Sequence, residues 1–219
     1  MIDKKKVVLF DIDYTLFDTE DFRKNLYKNI SQAVGEDINK IEPIGKSIYA
    51  KLRKKYGYFN PAEFIKKFKG YMKNDVDFSA VEESIWNEEA FRKCIYKEVD
   101  DILSEIKKIA QVGIFSKGHD RFQRAKLKTI EHFLEIKHIH IVVDKYANLP
   151  QIINKYAKHK LYLVDDELEA LHFASKLRSD VFTIWVKRGR YAAEQKPIPG
   201  FTPNLVVTNL RKIVKIIGR

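Results

Sequence analysis

From Val99 onward, short apolar runs alternate with helix-length amphipathic segments, and that alternation limits the chain to few architectures. "VGIFS" (112–116), "HIHIVV" (138–143), "KLYLV" (160–164), "VFTIWV" (181–186) and "NLVV" (204–207) have the length and composition of strands. Between them lie "DRFQRAKLKTIEHFL" (120–134), "PQIINKYAK" (150–158, with Pro150 near its start) and "ELEALHFASKL" (167–177), each read as a helix. "KEVDDILSEIKKIAQ" (97–111) precedes the series and "NLRKIVKII" (209–217) closes it. In the former, Val99, Ile102, Leu103, Ile106 and Ile109 fall on one helical stripe. Strands separated by helices of this length predict an α/β fold, a doubly wound parallel sheet with helices on both faces.

The first strand comes earlier, in "KKVVLF" (5–10), an apolar run without alternation, as expected of a strand buried on both faces. Between it and Val99 the pattern is helical. Phe22, Leu26, Ile30 and Val34 recur every four residues, Ile48 and Leu52 continue in that mode, and Pro61 suits a helix start. The expected organisation is a core of residues 1–18 and 91–219 with a mostly helical insertion at 19–90. Residues 187–203 form the one long stretch without a pattern and are expected to be a loop.

In an open parallel sheet, ligands bind beyond the carboxyl ends of the strands. Asp11 and Asp13 lie just past the first strand, Ser116 and Lys117 past the second, Asp144 and Lys145 past the third, Asp165 and Asp166 past the fourth. Four strands thus deliver carboxylates, a hydroxyl and an ammonium to one edge. Close-set carboxylates repel unless a cation or a shared proton relieves them. An oxygen-only donor set suits Mg2+, which is commonly held by one or two carboxylates together with water and substrate phosphate. Such an edge fits phosphoryl transfer. One carboxylate attacks, a second moves the proton of the leaving oxygen, and a lysine and a hydroxyl hold the remaining oxygens.

Other chemistries find less support. No G-x-x-x-x-G-K phosphate loop is present. His138 and His140 would share one strand face, where packing or hydrogen bonding explains them better than zinc. The single cysteine, Cys94, reads as a small buried hydrophobe, and no internal disulfide can form. No apolar run approaches the roughly 18 residues of a membrane span. The N-terminus lacks the apolar region of a signal peptide, and a cytoplasmic location is the expectation. Net charge is +11, and residues 40–73 hold ten Lys/Arg against Glu42 and Glu63. This block reads first as solvated helix faces; nucleic-acid binding through it is the less favoured alternative.

"FDIDYTLFD", "GIFSKG", "VVDKYANLPQII" and "LYLVDDELEAL" resemble, in order and at strand ends, the four motifs of the haloacid dehalogenase-like hydrolase superfamily. The resemblance implies a Rossmann-like core with an inserted helical cap between motifs one and two. It implies a Mg2+-dependent phosphatase acting on a small phosphorylated metabolite, with dehalogenation a lesser alternative because halide leaves without a proton. Asp11 would be nucleophile and metal ligand, and Asp13 the general acid/base with its backbone carbonyl on the metal. Ser116 and Lys145 would hold the phosphoryl group, with Thr15 and Lys117 also in phosphate binding, and Asp166 with Asp165 would complete the metal site. Lys126 is the rival for the lysine role, set second because it falls within a helix, away from a strand end. Two departures stand out. Tyr14 occupies a position usually held by a small or polar residue, where it is expected to narrow the entrance. Ala170 and Leu171 stand where many relatives carry a further acid.

Overall fold

The computed structural model describes residues 5–72 and 76–219; Lys73 of the basic block lies outside them. Six strands form one parallel sheet in the order β3-β2-β1-β4-β5-β6. They are β1 (Lys6–Phe10), β2 (Gln111–Lys117), β3 (Ile139–Val142), β4 (Lys160–Asp165), β5 (Phe182–Val186) and β6 (Leu205–Val207). The order reverses at β1, between β2 and β4, which is where a doubly wound sheet opens a crevice.

β1 is central, and its lack of alternation has a direct cause. Val8 and Phe10 belong to the core on one face, Val7 and Leu9 to the core on the other, and all four are at most 1% exposed. α6 (Val99–Lys107), α7 (Asp120–Leu127) and α11 (Ile213–Ile217) contribute to the first core. α8 (Lys145–Lys155) and α9 (Leu168–Leu177) cover the second.

Between β1 and α6 the described residues form five helices: α1 (Thr19–Val34), α2 (Ile38–Tyr56), α3 (Pro61–Lys69), α4 (Phe78–Ile85) and α5 (Glu88–Cys94). Each begins at an Asp or Asn whose side chain accepts from a backbone N–H of the first turn: Asp18, Asp37, Asn60, Asp77 and Asn87. The chain enters and leaves this block through two adjacent segments. Asp18 N donates to Cys94 O at 2.7 Å, and Tyr96 N donates to Leu16 O at 3.1 Å. An aromatic cluster joins block to core. Phe122 of α7 packs against Phe22, Phe59, Trp86 and Phe91 at centroid distances of 5.1–5.8 Å. Cys94 is buried there, and burial pushes its thiol up to about 12, so it carries no thiolate chemistry near neutral pH.

Three elements differ from the sequence expectation. α7 stops at Leu127 rather than continuing to residue 134. Ile130 must enter the core, and Glu135 N must reach Val112 O at 2.9 Å, so the chain turns there. α8 begins at Lys145, not Pro150. Asp144 caps it by accepting from Ala147 N at 3.0 Å, and Pro150 sits inside the helix. Residues 187–203 contain a short helix, α10 (Gly189–Glu194). His138 ends a turn just before β3, so the two histidines do not share a strand face as expected, although both come within hydrogen-bond distance of the Tyr156 hydroxyl, at 2.8 and 2.7 Å. No helix among the described residues is long and apolar enough to cross a membrane.

Candidate active site

At the carboxyl edge of the sheet lies a cavity of about 150 Å3, lined from the core by Asp11, Asp13, Lys117, Lys126, Lys145 and Asp166 and roofed by α1 and α2. Asp11 is the residue after β1, and its N–H continues the sheet by donating to Val164 O at 2.8 Å. That bond fixes the backbone, and the carboxylate meets the groups at the ends of β2 and β4.

Lys145 is the hub. Its Nζ donates to Asp11 Oδ1 at 2.9 Å and to Asp165 Oδ2 at 2.6 Å, with all three side chains buried. Burial works against its charge, yet the two carboxylates hold its pKa well above the ordinary lysine value. Asp165 is pushed up to about 7, chiefly by burial, with Lys145 opposing. Asp166 is 5% exposed and shifted well upward by burial and by the charges of Asp11 and Asp165. Asp11, Asp165 and Asp166 each offer one carboxylate oxygen, all within 4.8 Å of one another. Three buried carboxylates against one ammonium leave an excess of negative charge, and the donors are oxygen only. This set fits a hard divalent cation such as Mg2+.

Asp13 is held quite differently. Its Oδ1 accepts from Lys126 Nζ at 2.7 Å and from the Thr19 hydroxyl, and its Oδ2 accepts from Gln123 Nε2 at 2.8 Å. Burial would raise its pKa, but the Lys126 charge and these donors outweigh it, so the carboxyl lies below its usual value. Two aspartates two residues apart are thus unequal, one shifted up and one down.

Lys126, the sequence's second choice, is therefore in the site as well. It is 3% exposed, with its ammonium 4.9 Å from the Phe17 ring centroid and 4.8 Å from that of Phe122. Its position inside a helix did not keep it away, because α7 starts three residues after β2 and lays one face over the edge. Gln123 and Lys126, three apart, share that face, and this spacing was the signal available in the sequence. Gln123 also donates to Ser116 Oγ and Lys117 O, both at 3.1 Å. It reaches across because Gly118 has no side chain, whose Cβ would lie 2.6 Å from Gln123 Cγ. Ser116 is 1% exposed, and its hydroxyl lies beside the Asp11 carboxylate, where it favours the charged form. Thr19 and Gln123 were not anticipated.

Thr15, expected to bind phosphate, does not line the cavity. It is fully buried and its hydroxyl has no partner among the described residues, because the turn in which Leu16 N and Phe17 N both donate to Ile12 O points it inward. Tyr14 does face the cavity, with a φ of 57°, the one positive φ among the described non-glycine residues. Left-handed backbone costs a side-chain-bearing residue roughly 1–2 kcal/mol. Its ring stacks on Tyr191 at 6.5 Å, and its hydroxyl accepts from Arg23 at 3.0 Å. Gly189 makes the space, since a Cβ there would lie 2.8 Å from Tyr14 Cδ1.

The sequence profile of the haloacid dehalogenase-like hydrolases matches residues 5–160. No curated protein sequence matches the chain. Among solved structures, it is similar to a haloacid dehalogenase-like hydrolase of Burkholderia xenovorans, with TM-score 0.79 and 21% identity over 97% of this chain and 98% of that one. It is also similar to YfnB of Bacillus subtilis, solved bound to magnesium (TM-score 0.67, 16% identity, 99% and 100% covered). The L-2-haloacid dehalogenase of Xanthobacter autotrophicus, solved with chloropropionic acid covalently bound, gives TM-score 0.64 and 14% identity over 99% and 98% of the two chains. At these identities the likeness is one of fold. The profile match spans well over half of the chain, which belongs to the haloacid dehalogenase-like hydrolase family.

Proposed function

Proceeding from that membership, we propose that the chain is a Mg2+-dependent phosphatase of a small phosphorylated metabolite. One observation carries this reading: Asp11, Asp165 and Asp166 form a buried carboxylate cluster with a single ammonium. Displacing a halide needs no such cluster; receiving a phosphoryl group beside a cation does. A cavity of about 150 Å3 admits a small ester.

Bound Mg2+ would neutralise charge on the nucleophile and on the phosphoryl oxygens. Asp11 attacks phosphorus through a carboxylate oxygen, forming an aspartyl-phosphate as the bond to the leaving oxygen breaks. Lys145 holds Asp11 in place and stabilises its negative charge, and the Ser116 hydroxyl orients it. Lys117, at the cavity wall, faces the phosphoryl oxygens. Asp13 is ionised at rest, so the proton for the leaving oxygen must first reach it. Lys126 Nζ, 2.7 Å from Oδ1, is the adjacent donor. In the second step water attacks phosphorus, Asp13 takes its proton and passes it back to Lys126, the bond from Asp11 to phosphorus breaks, and phosphate departs with Asp11 regenerated.

The tests are Mg2+-dependent phosphate release from an aryl phosphate and halide release from 2-chloropropionate. Phosphate release abolished in Asp11→Asn supports the reading; halide release without metal replaces it. That second reading, a dehalogenase, is favoured by Asp13 being held ionised, since halide departs without a proton, and by the solved dehalogenases of the same fold.

A further inference from the structure

The core side of the cavity carries Asp11, Asp13 and Asp166 together with Lys117, Lys126 and Lys145, so acids and bases are mixed there. The wall supplied by the inserted helices carries Arg23 of α1 and Arg53 of α2. Tyr49 and Arg53 lie one helical turn apart on α2, beside the Ile41–Ile48–Leu52 stripe that α2 buries. The Arg53 guanidinium lies close enough to Tyr49 to interact with its phenol, and it feels the charge of Asp13. Among the described residues it pairs with no carboxylate. Arg23 is more constrained. It donates to Tyr14 Oη at 3.0 Å, lies 5.1 Å above the Tyr49 ring, and meets Glu20 only at 3.4 Å.

Some surface cations of α2 have local acids, as in Lys40–Glu36 at 2.7 Å and Lys46–Glu42 at 2.5 Å. Arg53 instead lines the cavity, across from the wall that holds Asp11, and a planar guanidinium is suited to bidentate binding of a carboxylate or phosphate. Tyr14, Tyr49 and Phe59 (the last two stacked at 5.6 Å) frame this wall of the cavity. Tyr14 holds its place in that frame despite its left-handed backbone, and strain retained in a cavity wall marks a position with a role there.

Resting on the phosphatase reading, we propose that Arg53, with Arg23 held by Tyr14, forms a subsite for a second anionic group. The preferred substrate is then a small phosphomonoester that also carries a carboxylate or a second phosphate, lying across the cavity with its ester at Asp11 and its other anion at Arg53. The same pair of arginines disfavours neutral alkyl phosphates and cationic amino-alcohol phosphates of equal size.

Binding of non-hydrolysable phosphonates tests this without turnover. Calorimetry with Mg2+ present would compare phosphonoacetate and 3-phosphonopropionate with ethyl- and propylphosphonate. The carboxylate-bearing ligands are expected to bind at least tenfold more tightly. That ratio should fall to within about twofold in Arg53→Met, fall partly in Tyr14→Phe, and be kept in part by Arg53→Lys. Arg53 is exposed, so the variant's fold can be verified by an unchanged melting temperature. Equal binding of both ligand types by the wild type, or a ratio that survives Arg53→Met, overturns the subsite. If no phosphonate binds but small carboxylates do, with a preference lost in Arg53→Met, the phosphoryl reading fails while the subsite stands. If neither class binds, the subsite is overturned.

Discussion

Lys126 Nζ lies 2.7 Å from Asp13 Oδ1, and the pair is enclosed by Phe17 and Phe122. This contact separates the two motif aspartates chemically. Asp11 shares a lysine with Asp165 and is pushed up by burial, while Asp13 has a lysine of its own and is held down.

If Lys126 feeds Asp13 with the proton for the leaving oxygen, its removal should matter most when that oxygen is a poor leaving group. Lys126→Met is expected to lower kcat by about 10²-fold or more for an alkyl phosphate, the usual worth of a positioned acid. For a nitrophenyl phosphate, whose leaving oxygen needs little protonation, the loss should be several-fold smaller. Equal losses for both esters would show that Lys126 only supports the fold.

The carboxylate cluster predicts an uncommon dependence of stability on pH. Asp165 and Asp166 have folded-state pKa values above their unfolded ones, Asp165 at about 7. Their favourable contribution is complete below the unfolded value near 3.8 and is lost as pH rises through the folded one. Between about pH 4 and 7 the carboxylate cluster should therefore make the metal-free protein melt at falling temperature as pH rises. Saturating Mg2+ should flatten that slope, because the cation takes over the compensation of charge. Asp166→Asn should raise the metal-free melting temperature by a few degrees, about 1 kcal/mol in a chain of this size, and weaken Mg2+ binding at least tenfold.

The backbone at Tyr14 predicts a reversal of the usual order of small residues. At φ 57° a glycine is unstrained and an alanine is not. Tyr14→Gly should be about 1 kcal/mol more stable than Tyr14→Ala in urea unfolding, although both lose the ring contacts with Tyr191 and Arg23. Equal stabilities would mean that the turn relaxes once the ring is gone.

On the far edge, His138 is 5% exposed and burial lowers its pKa to about 4, below the ordinary 6.5. A histidine buried neutral stabilises fully above its unfolded value and loses that contribution as pH falls toward the folded one. In Mg2+-saturated protein the melting temperature should drop between pH 6.5 and 4, and the drop should be smaller in His138→Gln. The opposite sign would mean that the imidazole is held charged, with Glu135, 3.7 Å away, as its partner.

Much of this was legible from spacing. Strand-length runs that end in Asp11, Ser116 and Asp165 place their polar groups at one edge, since parallel strands share a direction and their carboxyl ends coincide. Asp18, at the end of the first motif, caps the first inserted helix by accepting from Asp21 N at 2.9 Å. What spacing misjudged were groups whose function depends on reach. Thr15 belongs to the motif yet turns inward, and Lys126 sits in a helix yet extends into the site.

The sequence by itself determined the class of fold and the edge at which chemistry gathers. Hydrophobic period and turn residues act locally, and the chirality of strand–helix–strand connections leaves a parallel sheet few ways to wind. Only the tertiary structure decided how the charges divide. Asp11, Lys145 and Asp165 come from three separate segments, and so do Asp13, Thr19 and Lys126 taken with Gln123. Which lysine neutralises which carboxylate is an electrostatic outcome of burial and distances of under 3 Å, and no local pattern records those.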